Sequence, residues 1–474
     1  MPDPMAQAFA EGFLKPKGRI YFDAAATSLM PRAVLAAQKR YYETACANPH
    51  TSAHGPGRSS TALVEAARAQ VARLFGTTDA TWATLFLGSG STAALNRAAQ
   101  AIYVPVAAQT QRRVVLVTGA EHHSNYLPWR RLAGPQNVHT VPLRPDGALD
   151  LAALAQMLER YRASINTLAV TAASNVTGAV TDVPRVAALA RAFNVPLVLD
   201  AAQAAPHMPL AIPPGVSAVA ISGHKLYAPG SPGVLLIRRS WLDLGGAPIG
   251  DTGGGTVESV SDAGVIYSDH AEAREEAGTP NVAGILALGL VAGILERVGM
   301  ARLAAAEHAL TAYLLDRLQR VPGLVIYGSA APGGIPRLGV VSFNLSVPHA
   351  AVAAALDSYG LCLRNECFCA QPCVRALLTA QGESAAAVAA RAEYERRVPG
   401  RPGMVRASLG PWNTTADVDA LVEALRWAAA NPDAVCDRCA PCGGGAYVFM
   451  DDKCSTTRPC FTLEEEIGRA AQSW

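Results

Sequence analysis

The stretch Ala218-Val-Ala-Ile-Ser-Gly-His-Lys225 decides the fold, because an apolar, β-branched run leads directly into a lysine. Residues 218–222 predict a buried strand. A lysine just past a strand can hold an aldehyde cofactor as a Schiff base, and Gly223 allows close backbone approach. Ser222 and His224 could donate hydrogen bonds to a phosphate. A surface lysine after a strand is far commoner than a reactive one, so the stretch needs support from elsewhere in the chain.

Further apolar runs predict that this strand belongs to a larger sheet. The helical patterns Leu151–Tyr161 and Pro184–Phe193 lie between them. Alternating strands and helices indicate a mostly parallel sheet covered by helices on both faces, and ligands of such sheets bind at the carboxyl ends of the strands. The other predicted strands are Val114–Thr118, Leu168–Ala172, Leu197–Leu199 and Val234–Ile237.

Polar residues follow several of these strands at the predicted ligand-binding edge. Asp200 could pair with a pyridinium nitrogen or cap the next helix, and Gln203 could reach a ring hydroxyl. The run Gly88–Thr92 precedes a helix and predicts either an anion site or an ordinary capped loop. His122 could stack on a pyridine ring, and Asn175 could hydrogen-bond its oxygen. Together these residues indicate a phosphorylated pyridine cofactor.

The length of 474 residues predicts more than one domain. After about residue 305 the pattern changes to a long helix, Ala304–Leu318, followed by the strand Gly339–Asn344 and a smaller α/β unit. We predict an N-terminal segment at 1–30 that packs with the small domain, a large cofactor-binding domain at 31–305, a small domain at 306–430 and an appended cysteine-rich segment at 431–474.

Composition excludes several partner classes. The formal net charge of +2 gives no reason to expect nucleic acid or an anionic membrane surface. The longest apolar run, Val282–Leu295, is too short to span a bilayer and predicts a buried core helix. The N-terminal residues lack a secretory pattern, and the ten cysteines are clustered rather than spread as in a disulfide framework. We therefore expect a cytoplasmic protein whose cysteines serve catalysis or metal binding.

The order and spacing of these pieces resemble the class V aminotransferase superfamily, pyridoxal 5'-phosphate (PLP) enzymes of fold type I. Within it, the chain is similar to cysteine desulfurases and selenocysteine lyases of the SufS-type branch. The resemblance runs from Tyr21 to Thr414 and implies an α/β fold, with a large domain built on a mostly parallel sheet and a smaller α/β C-terminal domain. The matching stretches are EHHSNYLPW from Glu121, SNVTG from Ser174, LDAAQAAPH from Leu199, SGHKLYAPG from Ser222 and EEAGTPN from Glu275.

The resemblance implies a cofactor role for each matching residue. Lys225 would form the Schiff base, His122 would stack on the ring and Asp200 would pair with the pyridine nitrogen. Thr279 would reach the phosphate of the neighbouring subunit, which implies a homodimer. The residues implied to contact the ring oxygen are Asn175 and Gln203, and those implied to bind phosphate are Ser91, Thr92, Ser222 and His224.

The cysteine loop carries the prediction of the reaction. In the resemblance, Arg364-Asn-Glu-Cys-Phe-Cys369-Ala matches an Arg-x-Gly-x-x-Cys-Ala pattern, with Cys369 as nucleophile and Glu366 in place of the glycine. A thiolate at Cys369 would take the sulfur of cofactor-bound L-cysteine as a persulfide, release L-alanine and pass the sulfur to an acceptor protein or a small thiol. Arg406 would clamp the substrate carboxylate, with Arg364 and Asn175 as further substrate contacts. Cys367 and Cys373 flank the nucleophile, and a buried core cysteine is the alternative interpretation of Cys369.

The C-terminal segment has a C-x2-C-x2-C spacing that the resemblance does not cover. Cys436, Cys439, Cys442 and the distal Cys454 could complete a four-cysteine zinc or iron–sulfur site. The same thiols could instead accept sulfur from Cys369, act as a redox pair, or be idle.

Three alternatives to a cysteine desulfurase stay open. Two are enzymes, a selenocysteine lyase and another class V aminotransferase, and the latter would not need Cys369. The third is a non-catalytic PLP-fold scaffold that presents the cysteine-rich tail as a metal-binding module. The presence of Lys225, Asp200 and Cys369 together favours an enzyme.

Overall fold

A computed structural model describes residues 3–50, 53–243, 249–331, 334–380, 403–443, 446–450 and 462–471. Its centre is a seven-stranded sheet in which Gly233–Arg238 runs in the direction opposite to the other six strands. Most residues of these strands are buried, as expected for a sheet covered on both faces. All five predicted strands lie in this sheet, and the prediction of a mostly parallel α/β fold is confirmed. The spatial order is Trp82–Leu87, Gly233–Arg238, Val216–Ser222, Leu197–Asp200, Ile165–Thr171, Val114–Thr118 and Val138–Val141.

The strand register brings the predicted site residues to one edge of this sheet. Thr171 pairs with Asp200, Asp200 pairs with Ala220, and Ser222 pairs with Gly233. The carboxyl ends of the parallel strands therefore lie side by side. The loops that follow them carry His122, Asn175 and Lys225 toward the same place.

Helices cover both faces of the sheet, and side-chain caps mark where several begin. Asp150 accepts hydrogen bonds from the Ala152 and Ala153 amides, which satisfies donors that the first helical turn leaves free. The helices are Pro4–Glu11, Arg32–Thr44, Gly55–Leu74, Gly90–Gln109, Leu127–Ala133, Leu151–Arg160, Val183–Ala192, Ala271–Glu275, Val282–Val298, Met300–Leu318, His349–Ser358, Gln371–Ala380, Thr415–Ala430, Pro432–Asp437 and Leu463–Ala471, with short 3-10 helices at His123–Asn125, Pro135–Asn137 and Arg239–Trp241.

Helix Val282–Val298 is packed in the core, which confirms the prediction of a buried helix. Among the described residues, no single helix has the length and apolarity to cross a membrane. By length and composition alone, Val282–Val298 and Met300–Leu318 would pass together as a pair bent by 79°, a test that core helices of soluble proteins also pass.

The smaller unit is built on a four-stranded antiparallel sheet with its own apolar core. Helix Thr415–Ala430 begins in a capping box between Thr414 and Asp417. The strands, in spatial order, are Val325–Tyr327, Val340–Asn344, Met404–Ser408 and Arg364–Glu366.

The N-terminal segment contacts both cores. Strand Ile20–Tyr21 pairs with Leu361–Cys362, and Phe22 is buried in the small core. Phe9 and Phe13 instead pack edge-on against Tyr227 of the large unit, at ring distances of 5.6 and 5.4 Å. The described part of this segment, from residue 3 onward, therefore packs against both units.

The cysteine-rich segment begins inside the small core rather than beyond it. Val435 and Cys436, on helix Pro432–Asp437, are 0% and 4% exposed. The hairpin Cys439–Gly443 and Ala446–Phe449 then packs against helix His349–Ser358. A second hairpin, Val257–Ser261 with Gly264–Tyr267, is mostly exposed.

Candidate active site

A cavity of about 510 Å³ opens at the carboxyl edge of the large sheet, next to the small unit. Asp200 and Gln203 do not line it but lie buried close by. The sequence-predicted residues that line the cavity are Ser91, Thr92, His122, Asn175, Ser222, His224, Lys225, Arg364, Cys369 and Arg406.

Lys225 enters the cavity from a tight turn at the end of its strand, where the Lys225 and Leu226 amides both donate to the Ser222 carbonyl. Burial lowers the pKa of Lys225 to about 8, although the negative charge of Asp200 acts in the opposite direction. An amine with a pKa near neutrality is available in its neutral, nucleophilic form at physiological pH.

Asp200 and Gln203 form the buried end of the site. Asp200 accepts a hydrogen bond from the Ala202 amide at 3.0 Å, and burial raises the pKa of its carboxyl group. Gln203 donates from Nε2 to the Ala25 carbonyl at 2.8 Å. Its Oε1 is buried and has no hydrogen-bond partner among the described residues, so this atom is available to a ligand.

The N-terminus of helix Gly90–Gln109 faces an open cradle formed with Ser222 and His224. Gly90 has φ +58°, and a Cβ there would lie 2.9 Å from Ser222 Oγ and 3.5 Å from His224 Cδ2. The cradle is therefore kept open by a glycine at the start of a 20-residue helix, an arrangement that suits a phosphate. Burial, followed by the charge of Lys225, lowers the pKa of His224 to about 4, so that its ring is neutral.

His122 presents a neutral ring to the cavity. Its Nδ1 accepts from the Ser124 amide at 3.1 Å and lies 3.0 Å from Ser124 Oγ, which places the ring proton on Nε2. Burial, and then the charge of Lys225, lowers the pKa of His122 to about 3.

These residues fit PLP on structural grounds. The cradle that Gly90 leaves open suits the phosphate. Asp200 supplies a buried carboxyl group for the ring nitrogen. The unpartnered Gln203 Oε1 can accept a hydrogen bond from a polar substituent of the ring. Lys225 is the one amine among the residues that line the cavity in the described part of the chain.

The cysteine loop forms the opposite wall in a strained conformation. Phe368 and Cys369 have φ +52° and +54°, and Glu366 has φ +86°. The loop is held because Asn175 Nδ2 donates to the Phe368 carbonyl at 2.8 Å and the His123 amide donates to the Cys369 carbonyl at 2.7 Å. Cys369 is consequently an exposed, free thiol facing the cavity.

The two flanking cysteines point elsewhere. Cys367 packs against the apolar cluster around Phe368, and Cys373 is 1% exposed within it. Burial, together with the charge of Glu121, raises the pKa of Cys373 to about 12. Cys369 is thus the only cysteine of the described residues that lines the cavity.

Two arginines and one carboxylate complete this wall. Buried Arg406 donates from Nη2 to Asp23 Oδ1 at 3.2 Å and from Nη1 to the Asn175 carbonyl at 3.0 Å. Burial lowers the pKa of Arg406 to about 10, and its Nε has no partner among the described residues. Arg364 lies 3.6 Å from Asp23 Oδ2 with its side chain 58% exposed.

Comparison with known proteins agrees with this geometry. The sequence profile of the family "Aminotransferase class-V" matches residues 20–421. The chain belongs to the class-V aminotransferase family.

Relatives within this family include curated cysteine desulfurases. One from Serratia proteamaculans is 33% identical over 86% of this chain and 92% of its own length, and a probable cysteine desulfurase from Xylella fastidiosa is 32% identical over 89% and 92%. The apo structure of a cysteine desulfurase from Thermococcus onnurineus matches with a TM-score of 0.77 at 28% identity, covering 91% of this chain and 99% of that one. The cysteine desulfurase CsdA from Escherichia coli, in an S-sulfonic acid form, matches with a TM-score of 0.73 at 29% identity, covering 89% and 98%. These matches identify a PLP-dependent enzyme of the class-V type.

Thr279 lies away from this cavity. It is exposed and lines a separate cavity of about 1200 Å³, together with Arg68 and Glu276. Within one subunit Thr279 therefore does not line the cavity that contains the phosphate cradle. Its implied role in a neighbouring subunit stays a prediction.

The described part of the C-terminal segment contains no group of three or more residues that could hold a metal ion. Cys436 is buried, and Cys439 Sγ donates to the Ala351 carbonyl at 3.7 Å. Burial, with the charge of Cys436, raises the pKa of Cys439 to about 12. The side chain of Cys442 and all of Cys454 lie outside the described residues.

Sequence reasoning assigned no function to several residues of the class-V site. Asp23 lies two residues after Tyr21, where the resemblance begins, but its partners Arg364 and Arg406 come from distant parts of the chain. Buried Glu121 accepts from the Thr171 amide, and burial raises its pKa to about 8. Ser231 lines the cavity with a buried, unpartnered hydroxyl. No local pattern distinguishes these residues, because their roles depend on contacts across the fold.

Proposed function

We propose that the protein is a PLP-dependent cysteine desulfurase, which converts L-cysteine to L-alanine and leaves the sulfur as a persulfide on Cys369. The observation that carries this proposal is one cavity lined by Lys225, the neutral His122 ring, Arg406 and an exposed free thiol at Cys369. A class-V enzyme that only transfers amino groups has no use for that thiol.

Several residues of this chain would hold the cofactor and prepare its chemistry. Lys225 would bind its aldehyde, Asp200 its ring nitrogen, and the cradle around Gly90, Ser222 and His224 its phosphate. When bound, PLP withdraws electrons from the substrate α-carbon and so weakens its bond to the α-proton. Lys225 Nζ, with a pKa lowered by burial, is suited to take up and return that proton.

The two arginines would orient the substrate. Arg406 uses one hydrogen of each Nη atom for Asp23 and Asn175, so its Nε and the second hydrogen of each Nη are donors left for a carboxylate. Arg364 is exposed at the same wall and can add a second cation. Cys369 lines the same cavity as both arginines, so a substrate held by them would place its side chain near the cysteine loop.

Cys369 would then act as nucleophile. Its thiolate forms a bond to the substrate sulfur, the carbon–sulfur bond breaks, and the electron pair of that bond stays with the carbon. Protonation of that carbon gives alanine, with Lys225 as the proton donor. The sulfur remains as a persulfide for an acceptor protein or a small thiol, and selenocysteine could be split in the same way.

Other parts of the proposal extend beyond one cavity. We infer a homodimer in which Thr279 contacts the phosphate of the neighbouring subunit. We also infer a cytoplasmic location, because Cys46, Cys367, Cys369 and Cys373 are reduced thiols. The SufS-type branch and a zinc or iron–sulfur site in the C-terminal segment also stay predictions.

Mass spectrometry of the cysteine-loop peptide tests the proposed role of Cys369. After incubation with L-cysteine, we expect one added sulfur atom on Cys369 in the wild type and in Cys367→Ser, but not in Cys369→Ser. Added sulfur on Cys367 alone, or none in the wild type while a keto acid accumulates, would favour a class-V transaminase or a different nucleophile.

A further inference from the structure

The backbone around Cys369 needs to be held by its surroundings. Phe368 and Cys369 both have left-handed φ values, near +50°, a conformation that is unfavourable for any residue other than glycine. Two consecutive residues of this kind persist only where contacts from outside the loop fix them. Asn175 supplies one such contact, to the Phe368 carbonyl.

His123 contacts the backbone on both sides of Ala370. Its main-chain N–H donates to the Cys369 carbonyl at 2.7 Å. Its ring Nε2 accepts from the Gln371 amide at 3.3 Å. Gln371 is the first residue of helix Gln371–Ala380, so its amide is one of the donors that the helix itself cannot satisfy.

His123 does this without being part of the cavity. It does not line the cavity, whereas its neighbours His122 and Ser124 do. It begins the 3-10 helix His123–Asn125, which is anchored by the Asn125 side-chain bond to buried Glu121. One short element therefore holds the cofactor-facing ring of His122 and the backbone of the nucleophile together.

The ring contact depends on the protonation state of His123. Only an unprotonated Nε2 can accept from the Gln371 amide, and a protonated one would face it donor to donor. Burial lowers the pKa of His123 and no charged group contributes to that shift. The titratable ring of His122 lies at a centroid distance of 6.3 Å from that of His123, and the loop that carries Cys369 lies on the other side of the contact.

We propose that His123 is a positioning residue for sulfur transfer, whose neutral ring and main-chain amide together clamp the Cys369 loop against the cofactor-binding wall. The proposal rests on the proposed function for its kinetic consequence but not for the clamp itself. Acceptance by Nε2, rather than ring shape, is the property that matters.

Two substitutions separate these properties. In His123→Gln the side-chain oxygen can still accept a hydrogen bond from the Gln371 amide, but the side chain does not titrate. In His123→Phe a ring remains, but it has no hydrogen-bond acceptor. Hydrogen exchange of the peptide spanning 366–372 reports the clamp in the intact holoenzyme and needs no turnover. We expect exchange to be roughly tenfold faster in His123→Phe and within about threefold of wild type in His123→Gln.

The second measurement is kinetic. For each variant, the rate of persulfide formation is divided by the rate at which iodoacetamide alkylates Cys369, so that a change in the reactivity of the thiol itself is removed from the comparison. This ratio is expected to fall about tenfold in His123→Phe, with unchanged cofactor absorbance, and to stay near wild type in His123→Gln. Toward acid pH the ratio should fall in wild type more than in His123→Gln.

The proposal is overturned if His123→Phe leaves exchange and the rate ratio unchanged, or if the Gln and Phe variants behave alike. A wild type that forms no persulfide would instead remove the proposed function, and the exchange experiment would still decide the clamp.

Discussion

Lys225 is subject to two opposing influences on its charge. Burial favours its neutral amine, whereas Asp200 favours the ammonium, and burial prevails, with a pKa of about 8. An ordinary lysine has a pKa of about 10.4. The neutral fraction near pH 7.5 is therefore far larger than for a surface lysine.

This shift predicts how the apoenzyme takes up PLP. The neutral amine is the form that reacts with an aldehyde, so the rate of reconstitution should rise with pH and level off above about pH 8. Stopped-flow measurement of the visible cofactor absorbance checks this. Asp200→Asn, which removes the charge that favours the ammonium, should move the plateau to lower pH. A rate that keeps rising to about pH 10, as for an unperturbed lysine, would contradict the account.

Glu366 shows why the resembling pattern carries glycine at this position. Its φ of +86° lies in the region that favours glycine, and Glu366→Gly should relieve about 1–2 kcal/mol of strain. Glycine in turn lowers the free energy of unfolding by about 0.5–1 kcal/mol, because it has more conformational entropy in the unfolded chain. We expect a net gain in the free energy of unfolding of up to about 1 kcal/mol, seen as a higher melting temperature. Glu258→Gly, on an exposed strand without positive φ, should lower it.

The identities of most site residues could be predicted from the sequence, because Asp200, Asn175 and Lys225 follow apolar strands directly. Their partners could not be predicted. Asn175 bonds the Phe368 carbonyl, 193 residues away, and such long-range contacts leave no local pattern. The left-handed conformation at Cys369 could likewise not be predicted, since neither phenylalanine nor cysteine favours a positive φ.

At the scale of elements, the turn Ser174–Gly178 joins the two units. Ser342 Oγ donates to the Val176 carbonyl at 2.6 Å. Gly178 has φ +74°, and a Cβ there would lie 2.7 and 2.8 Å from the Val340 and Leu338 carbonyls. This close approach positions Asn175 against the cysteine loop.

Gly178→Ala should therefore damage both stability and activity. Left-handed strain and the clash with two backbone oxygens should together cost roughly 2–4 kcal/mol in the free energy of unfolding. Activity should fall because the Asn175 contact with the cysteine loop shifts. Gly253→Ala is the matched control, since open space surrounds that position, and it should stay within about 0.5 kcal/mol. Denaturation curves at equal cofactor loading give the free energy of unfolding of each variant. An equal loss in Gly178→Ala and Gly253→Ala would contradict the account.

Elements with a strong apolar pattern were predictable, and polar ones were not. Apolar, β-branched runs in the sequence predict the strands of the large sheet, and Val114–Thr118 was predicted with its observed bounds. Strand Arg364–Glu366 is short and polar because it lies at the edge of the small sheet, beside the cavity. No period-two pattern marks such a strand.

For the whole molecule, the main difference from the sequence-based prediction is the start of the C-terminal segment. A composition shift suggested a boundary at 431, yet Val435 and Cys436 complete the small core. Cysteine and valine are common in buried positions, so the apolar residues of a segment, rather than its average composition, decide where a core ends.

Two truncations test this assignment. Removal of residues 431–474 should lower the melting temperature, because loss of Val435 alone forfeits about 1.5–3 kcal/mol of apolar burial. Removal of residues 462–474 takes away helix Leu463–Ala471, which buries no residue, and should leave melting temperature, PLP content and alanine formation unchanged. Equal stability of the two truncated proteins would place the boundary at 431 after all.

The measurement that tests the central claim most directly is alanine formation from L-cysteine in a single turnover, without reductant, for wild type and Cys369→Ala. The account predicts about one alanine per subunit from wild type and almost none from the variant, with the same cofactor absorbance in both. Alanine release by Cys369→Ala at the wild-type rate would show that Cys369 is not the nucleophile, and no alanine from wild type would contradict the desulfurase function itself.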